Sequence, residues 1–145
     1  MTATGVVPDP YRNFNFLVQI DNIVVASFRE CDGLDATTEI IPYREGGDGS
    51  ERKLPGRTTY TDITLRLGMT DSMELWEWRK SVIDGRFERR NGSVVIFDLA
   101  NSTEVARYNF VRAWPSSYEG PSFDATANDV AIESLILAHE GLTRA

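Results

Sequence analysis

The sequence predicts a mainly β protein, a single domain built as a β-barrel or sandwich of about seven or eight strands with one α-helix, at about residues 71–84, packed against it. Three observations carry this expectation. Most of the chain alternates apolar and polar residues with the two-residue period of a strand. One stretch alone, Thr70–Gly85 (TDSMELWEWRKSVIDG), spaces its apolar residues at a helical period. Turn formers interrupt the alternation repeatedly, and neither an internal repeat nor a domain boundary is visible.

Residues Met1–Pro10 hold Gly5, Pro8 and Pro10 without any period and read as an arm. Alternation begins at Phe14–Ile20, with Phe14, Phe16, Val18 and Ile20 on one face. Asp21-Asn22 then makes a two-residue hairpin loop into Ile23–Phe28. Cys31-Asp32-Gly33-Leu34 breaks the pattern, and a third strand runs from about Ala36 to Arg44. Pro42 within it removes a ladder donor, which predicts an edge or a bulge. Glu45–Arg57 (EGGDGSERKLPGR) has four glycines and six charged side chains, so it has little to bury and reads as a functional loop.

Thr58–Met69 alternates again, with Thr59, Thr61, Ile63, Leu65 and Leu67 on one face. Past the helix, Phe87–Arg90 is expected to meet Ser93–Leu99 across Asn91-Gly92, the strongest hairpin signal in the chain. Ala100–Thr103 is a second turn, leading into Glu104–Trp114. Pro115–Asn128 reads as turn-rich, from Pro115, Gly120, Pro121, Asp124 and Asn128. The last strand, Asp129–His139, sets Val130, Ile132, Ile136 and Ala138 against Ala131, Leu135 and Leu137 on its two faces.

On the helix, Leu75, Trp76, Trp78, Val82 and Ile83 form one stripe predicted to pack on the core. Arg79 lies inside that stripe, its stem on the core and its guanidinium reaching a rim carbonyl or a carboxylate. Thr70, Asp71 and Ser72 offer N-cap oxygens, with Glu74 at capping-box spacing from Asp71. Gly85 supplies the left-handed stop.

With 41% hydrophobic and 26% charged residues, the composition is that of a folded chain rather than a disordered one. Lys plus Arg total 15 against 22 Asp plus Glu, and the resulting net charge of −7 opposes a nucleic-acid-binding surface. Cys31 is the single cysteine, so no intramolecular disulfide forms. The N-terminus lacks the pattern of a signal peptide, and no apolar run approaches the ~18 residues that span a bilayer. Membrane insertion by the monomer is therefore not expected, nor export as a lone Sec precursor.

No catalytic, cofactor-binding or metal-ligating set emerges. His139 is the sole histidine, too few for a triad or a zinc site, and a structural or surface role is expected. Cys31 beside Asp32 lacks the positive neighbour that activates a thiol. The glycines of Glu45–Ser50 precede neither a Gly-Lys-Ser/Thr helix start nor an EF-hand ligand pattern. Asn91-Gly92-Ser93 and Asn101-Ser102-Thr103 are glycosylation sequons that read as turns. Arg86, Arg89 and Arg90 form a small basic cluster suited to an acidic neighbour, or simply a charged edge. A small-ligand-binding β-barrel carrier is the alternative reading, and it requires an apolar cavity open at one end.

Several motifs agree in order and spacing with one family. RKLPGRTTYTDITLRLGMTDSMELWEWRKSVIDG, RRNGSVVIFD and NFVRAWPSSYEGPSFDATANDVAIESLILAHEGL, with DPYRNFNFLVQIDN and GLDATTEIIPYREGG before them, resemble phage tail tube proteins. The likeness extends to inner-tube proteins of phage-tail-like contractile injection systems and runs from about Asp9 to Leu142. Pro42 and Cys31 depart from the family pattern, and Pro42 puts the pairing of its strand in question.

The resemblance implies homohexameric rings that stack into a hollow tube, with a contractile sheath outside, a baseplate or tube initiator at one end, and effector cargo as a candidate lumen content. It implies no covalent chemistry, synthesis in the cytoplasm, and residence in a virion tail or an injection particle. It also implies that Glu45, Gly46, Gly47, Asp48, Gly49, Ser50, Glu51, Arg52 and Lys53 form an assembly loop reaching onto adjacent subunits or the next ring. The Met1–Pro10 arm is expected to make similar ring-to-ring contacts.

Overall fold

The computed structural model describes residues 14–21, 23–25, 28–47, 49–68, 72–100, 102–123 and 131–145. The N-terminal arm, Asp48, Thr70, Asp71, Asn101 and the stretch 124–130 lie outside the described residues. Among the described residues, ten strands and one helix follow in order: β1 (Phe14–Ile20), β2 (Ile23–Val25), β3 (Phe28–Asp32), β4 (Ala36–Tyr43), β5 (Arg52–Tyr60), β6 (Ile63–Gly68), α1 (Glu74–Ile83), β7 (Arg90–Asp98), β8 (Thr103–Glu119), β9 (Ile132–Ala138) and β10 (Gly141–Arg144). The mainly β architecture with a single helix agrees with the sequence. The strand count is higher than seven or eight because β3, β5 and β10 carry too few apolar residues to register as alternating runs.

Eight strands form one antiparallel sheet in the order β2-β1-β7-β8-β9-β6-β3, with β10 pairing β8. The sheet rolls on itself, so that β1 approaches β3. β8 runs for 17 residues and serves both halves: it pairs β7 over Thr103–Ala113, then β9 from Trp114 to Glu119. Val18, Ile20, Val94 and Phe110 from one half meet Ile63, Leu65, Leu67, Leu135 and Leu137 from the other, all of them buried. The alternation in β1 and β6 therefore identifies the core faces correctly: in β6 the buried positions are Ile63, Leu65 and Leu67. In β9 the buried face is that of Leu135 and Leu137, whereas Ile132 is exposed.

β1 and β2 pair as the expected hairpin, with Ile20 opposite Ile23, while Asn22 of the expected loop lies outside the described residues. The Asn91-Gly92 signal is a correction. It makes no turn, since β7 passes straight through both residues and the sequon Asn91-Gly92-Ser93 is strand. The reason is a close approach: a Cβ on Gly92 would sit 2.3 Å from Phe110 Cζ and 2.6 Å from the Gln19 carbonyl oxygen. Opposite Asn91, Val111 and Arg112 form a bulge in which Arg112 takes φ 53°. Asn91 Oδ1 accepts the Arg112 backbone N–H at 3.0 Å, holding that left-handed residue in place. The Asn-Gly pair thus serves a bulge between neighbouring strands.

Pro115 is a second correction, because β8 continues through it to Glu119. β7 stops pairing at Ala113, so one edge of β8 loses its strand partner just before the proline and no ladder donor is needed there. The ladder to β9 shifts register between Pro115 and Ser117. Thr58–Met69 is also divided, with Thr61 and Asp62 separating β5 from β6. Gly33 marks the corner before β4: its φ is 94°, and a Cβ there would lie 2.0 Å from the Asp62 carbonyl oxygen.

Replacing Gly92 by alanine is expected to destabilise the protein by about 1–3 kcal/mol through overpacking against Phe110, read as a lower urea midpoint at unchanged slope. An unchanged midpoint would mean the Phe110 ring moves aside freely.

Candidate functional site

β4 and β5 form a separate two-stranded ribbon that leaves the body at Asp35 and returns at Thr61. Here the expected loop Glu45–Arg57 needs correction. Arg52 and Lys53 are already strand, paired with Tyr43 and Pro42, and only Arg44–Glu51 lies between the strands. Alternation starts well before Thr58, but polar residues fill both faces of β5 and conceal it. Pro42 does sit on an edge strand, as its missing donor predicts. The irregularity in the ribbon lies elsewhere, opposite Glu39, where Gly56 and Arg57 face one residue. A Cβ on Gly56 would press on the Ile41 side chain at 2.9 Å.

The ribbon buries almost nothing. Every residue of β4 is exposed, including Ile40, Ile41 and Tyr43, and Leu54 of β5 is exposed with them. Ile41 pairs with Leu54, so these two and Tyr43 share one face, while Ile40 and Pro55 share the other. Thr38 and Thr58 join hydroxyls across the strands at 2.9 Å. A two-stranded ribbon with apolar residues on both faces and no core beneath it is marginally stable by itself. Of the expected loop residues, Glu45, Gly46, Gly47, Gly49, Ser50 and Glu51 lie at its tip and are exposed.

The sheet also has open ends: β2 and β3 each pair on one side only among the described residues. On β3 and its partner β6, Arg66 donates to Glu30 at 2.9 Å and to Asp32 at 3.1 Å, and these ion pairs are solvent-exposed. Cys31 lies between those two acids in sequence. Burial, with the adjacent Asp32 charge adding to it, pushes its thiol up to about 12, so it stays protonated at neutral pH.

Helix α1 covers the stretch of β8 that β7 leaves bare. Its N-cap position is Met73, without a side-chain cap, and Glu74 is the first helical residue; the Ser72 hydroxyl accepts the Glu74 N–H at 3.5 Å, and Asp71, the partner in the expected capping box, lies outside the described residues. The C-terminus follows the sequence closely. Gly85 takes φ 78°, and its N–H and that of Arg86 donate to the carbonyls of Val82 and Ser81, at 3.0 and 2.9 Å.

The predicted stripe is partly right. Leu75 and Trp78 are buried and Val82 and Arg79 half-buried, but Trp76 is 37% and Ile83 60% exposed. At about 100° per residue, Trp76 and Ile83 fall on the far flank of Arg79, at the rim of the arc that Leu75 and Trp78 bury. Trp76 still packs edge-on against Tyr118, at 5.0 Å. Arg79 donates to the Pro115 carbonyl at 3.2 Å, the rim carbonyl of the two alternatives. Trp78 Nε1 donates to the Glu88 carbonyl at 2.9 Å, tying the segment after the helix against it.

Of the three arginines of that segment, Arg86 and Arg90 line one groove and Arg89 lies apart from it. Arg90 turns inward over the Trp78 ring and donates to the Asp21 carbonyl at 3.1 Å, with its Nε buried and without a partner among the described residues. Arg89 lies over Phe87, and Arg86 faces this groove, of about 320 Å³, along the helix. Glu74, Glu77, Glu88 and Ser81 also line the groove, together with Ile23 and Trp78, so its wall mixes charged and apolar groups. It is not the mouth of a barrel, whose interior is filled by the core side chains. Among the described residues, no cluster of metal-ligating side chains occurs and no helix is long and apolar enough to cross a membrane.

The sequence profile of the T4-like virus tail tube protein gp19 family matches residues 12–143. The chain belongs to that family. This tail tube protein is similar, at 30% identity and TM-score 0.83, to a chain of the sheath-tube complex of an extracellular contractile injection system, PVC, in its extended state, covering 100% of this chain and 99% of that one. It is likewise similar to a chain of the anti-feeding prophage tube-terminating cap, at 28% identity, TM-score 0.85 and the same coverage. Hcp1 from Flavobacterium johnsoniae, at 18% identity and TM-score 0.52 over 88% of this chain and 94% of that one, shares the fold. Among curated proteins no relative matches.

Sequence reasoning overlooked two features of this tail tube protein. One is the pair His139–Thr61, for which no sequence signal exists, because a backbone carbonyl is the partner. The other is Tyr118, whose hydroxyl donates to Glu133 across two strands at 2.6 Å. That bond to a carboxylate, with some burial, raises the phenol to about 12. The folded value lies above the ordinary value of about 10, so the stabilisation is complete below pH ~10 and is lost as pH rises through ~12. Ultraviolet titration should show one late-ionising tyrosine, and Glu133→Gln should return it to the range of the others. A titration unchanged by the substitution would remove Glu133 as the cause.

Proposed function

We propose that this tail tube protein is the repeating subunit of the inner tube of a contractile injection particle or phage tail, with no catalytic role. Homohexameric rings stack into the tube, a sheath surrounds it, and a baseplate or initiator complex begins it. Such a subunit is made in the cytoplasm and works in a particle released from the cell. Likeness along the whole chain to a protein in a sheath-tube complex supports the injection-particle setting. The whole chain acts as one unit.

One observation carries the assembly mechanism: the exposed ribbon. Ile40, Ile41, Tyr43 and Leu54 stand in solvent on an element with no core of its own, and a second copy of the chain gives them a surface to cover. The open edges of β2 and β3 add unpaired backbone groups that lateral contact in a ring satisfies. The tip, Glu45–Glu51, then reaches the adjacent subunit or the next ring, and the arm 1–10 does the same. A net charge of −7 suits a lumen that does not retain nucleic acid and leaves protein cargo free to pass.

Electron microscopy of the purified protein should reveal six-fold rings or tubes. A strict monomer at high concentration that also fails to join tubes with its baseplate present would overturn the proposal. Deleting Gly46–Ser50 should leave the thermal midpoint within a few degrees of wild type yet shorten the tubes; wild-type length would exclude the tip from stacking. The pair Ile41→Ser and Leu54→Ser should change monomer stability by less than about 0.5 kcal/mol per site, as surface positions do. It should lower tube yield by about tenfold or more, and full yield would rule out the ribbon face as a contact.

A further inference from the structure

We infer that His139 is the positioning residue that sets the ribbon against the body, and so controls whether a subunit presents β4 and β5 correctly for assembly. The inference rests on the reading that the ribbon is an assembly element. β4 and β5 contact each other and scarcely any other element, so the orientation of the ribbon is decided at its root. That root is two short segments, Gly33–Asp35 entering and Thr61–Asp62 leaving, joined by the Thr61 N–H donating to the Asp35 carbonyl at 3.2 Å. This bond closes the root on itself and fixes nothing relative to the core.

Two contacts do fix it. Gly33 packs its bare Cα against the Asp62 carbonyl and toward Ile63 at the start of β6, whose Cα a Cβ there would meet at 3.2 Å, a steric contact with no directional preference. His139 supplies the directional one. It follows β9, the strand beside β6, and its Nε2 lies 2.9 Å from the Thr61 carbonyl oxygen. Its Nδ1 lies 3.1 Å from the Gly141 carbonyl oxygen, at the start of β10. The ring also lies between aromatic neighbours, Tyr60 at the end of β5 at 5.7 Å and Phe110 of the core at 6.4 Å. The imidazole thus joins the last residue of the ribbon, the first residue after it, the core and the C-terminal strand. A hydrogen bond from a ring held on three sides defines an angle, whereas a steric stop defines only a limit.

Both polar partners are carbonyl oxygens, which only accept, so the ring must carry its proton on Nε2 to hold Thr61. His139 is the only histidine in the chain, and one ring gives one set of imidazole nitrogen signals.

Three measurements on the full-length chain test the inference. Nitrogen-15 histidine spectra should show a protonated Nε2; a bare Nε2 with the proton on Nδ1 alone would overturn the proposal. His139→Phe keeps the ring packing and loses the bond to Thr61. Its amide exchange should rise about five- to tenfold at Thr61 and along the ribbon, with β1, β7 and β9 unchanged, the loss expected for one hydrogen bond. Tube yield should fall by a similar factor, and His139→Gln, which keeps a donor, should recover part of both. Exchange accelerated throughout the body would reduce His139 to an ordinary core residue, and wild-type yield with wild-type exchange would also refute the inference. The Ile41→Ser, Leu54→Ser variant separates the two levels. If it assembles normally, the assembly role of the ribbon is wrong. If it fails while His139→Phe assembles normally, only the role of His139 is wrong.

Discussion

β8 must satisfy three strands and a helix along one continuous backbone, and most of the fold follows from that demand. Its first part is occupied by β7 on one edge and β10 on the other, and its last part by β9 and α1. A straight strand could not change neighbours in this way. Two register shifts, the bulge at Val111–Arg112 and the step between Pro115 and Ser117, let it turn from one half of the sheet to the other. Each is held by a specific group: Asn91 Oδ1 on the Arg112 N–H, and the Ser116 hydroxyl donating to the Ile136 carbonyl at 3.2 Å. The helix lies where it does because β7 ends, and the Pro115 carbonyl that this leaves available is the one Arg79 meets.

The sequence was most legible where apolar side chains alternate over a buried face. β1, β6 and the stretches of β7 and β8 away from Asn91-Gly92 and Pro115 could be read directly, since Val18, Ile63, Leu65 and Phe110 have one side to hide and period two is the only way to hide it. It was misleading where a residue type serves a partner distant in the chain. Asn91-Gly92 resembles a turn in every local respect, and only Phe110, on another strand, explains it. Pro115 reads as a strand breaker until the edge it faces is known to lack a ladder. The ribbon strand β5 was hidden because both of its faces meet solvent, so no alternation is imposed on its composition.

The helix shows the same division on a smaller scale. Its C-terminus could be read from Gly85 alone, because that cap is a property of the local backbone. Its buried arc could not be drawn from hydrophobicity alone: Trp76 and Ile83 are as apolar as Val82, yet they stand beside Arg79 on the outer flank. What decides the arc is which flank of the helix meets the body, and no helical wheel contains that. The exposure of Glu45–Ser50 was legible by composition, from glycine and charge, but its place at the tip of a two-stranded ribbon was not.

The contact between Gly92 and Phe110 bears on how the chain avoids wrong alignments. An antiparallel sheet rich in Val and Ile has near-equivalent pairings two residues apart, and nothing in such side chains penalises a slip between them. Here the ring of Phe110 occupies the space where a side chain at position 92 would stand, and Gln19 on β1 closes it from the other side. Shifting β7 by one or two residues would bring Arg90, Asn91, Ser93 or Val94 beneath that ring, and none of them fits. The glycine therefore acts as a keyway: one missing methyl group fixes three strands in a single alignment and makes the competing ones sterically unavailable while the sheet is still forming.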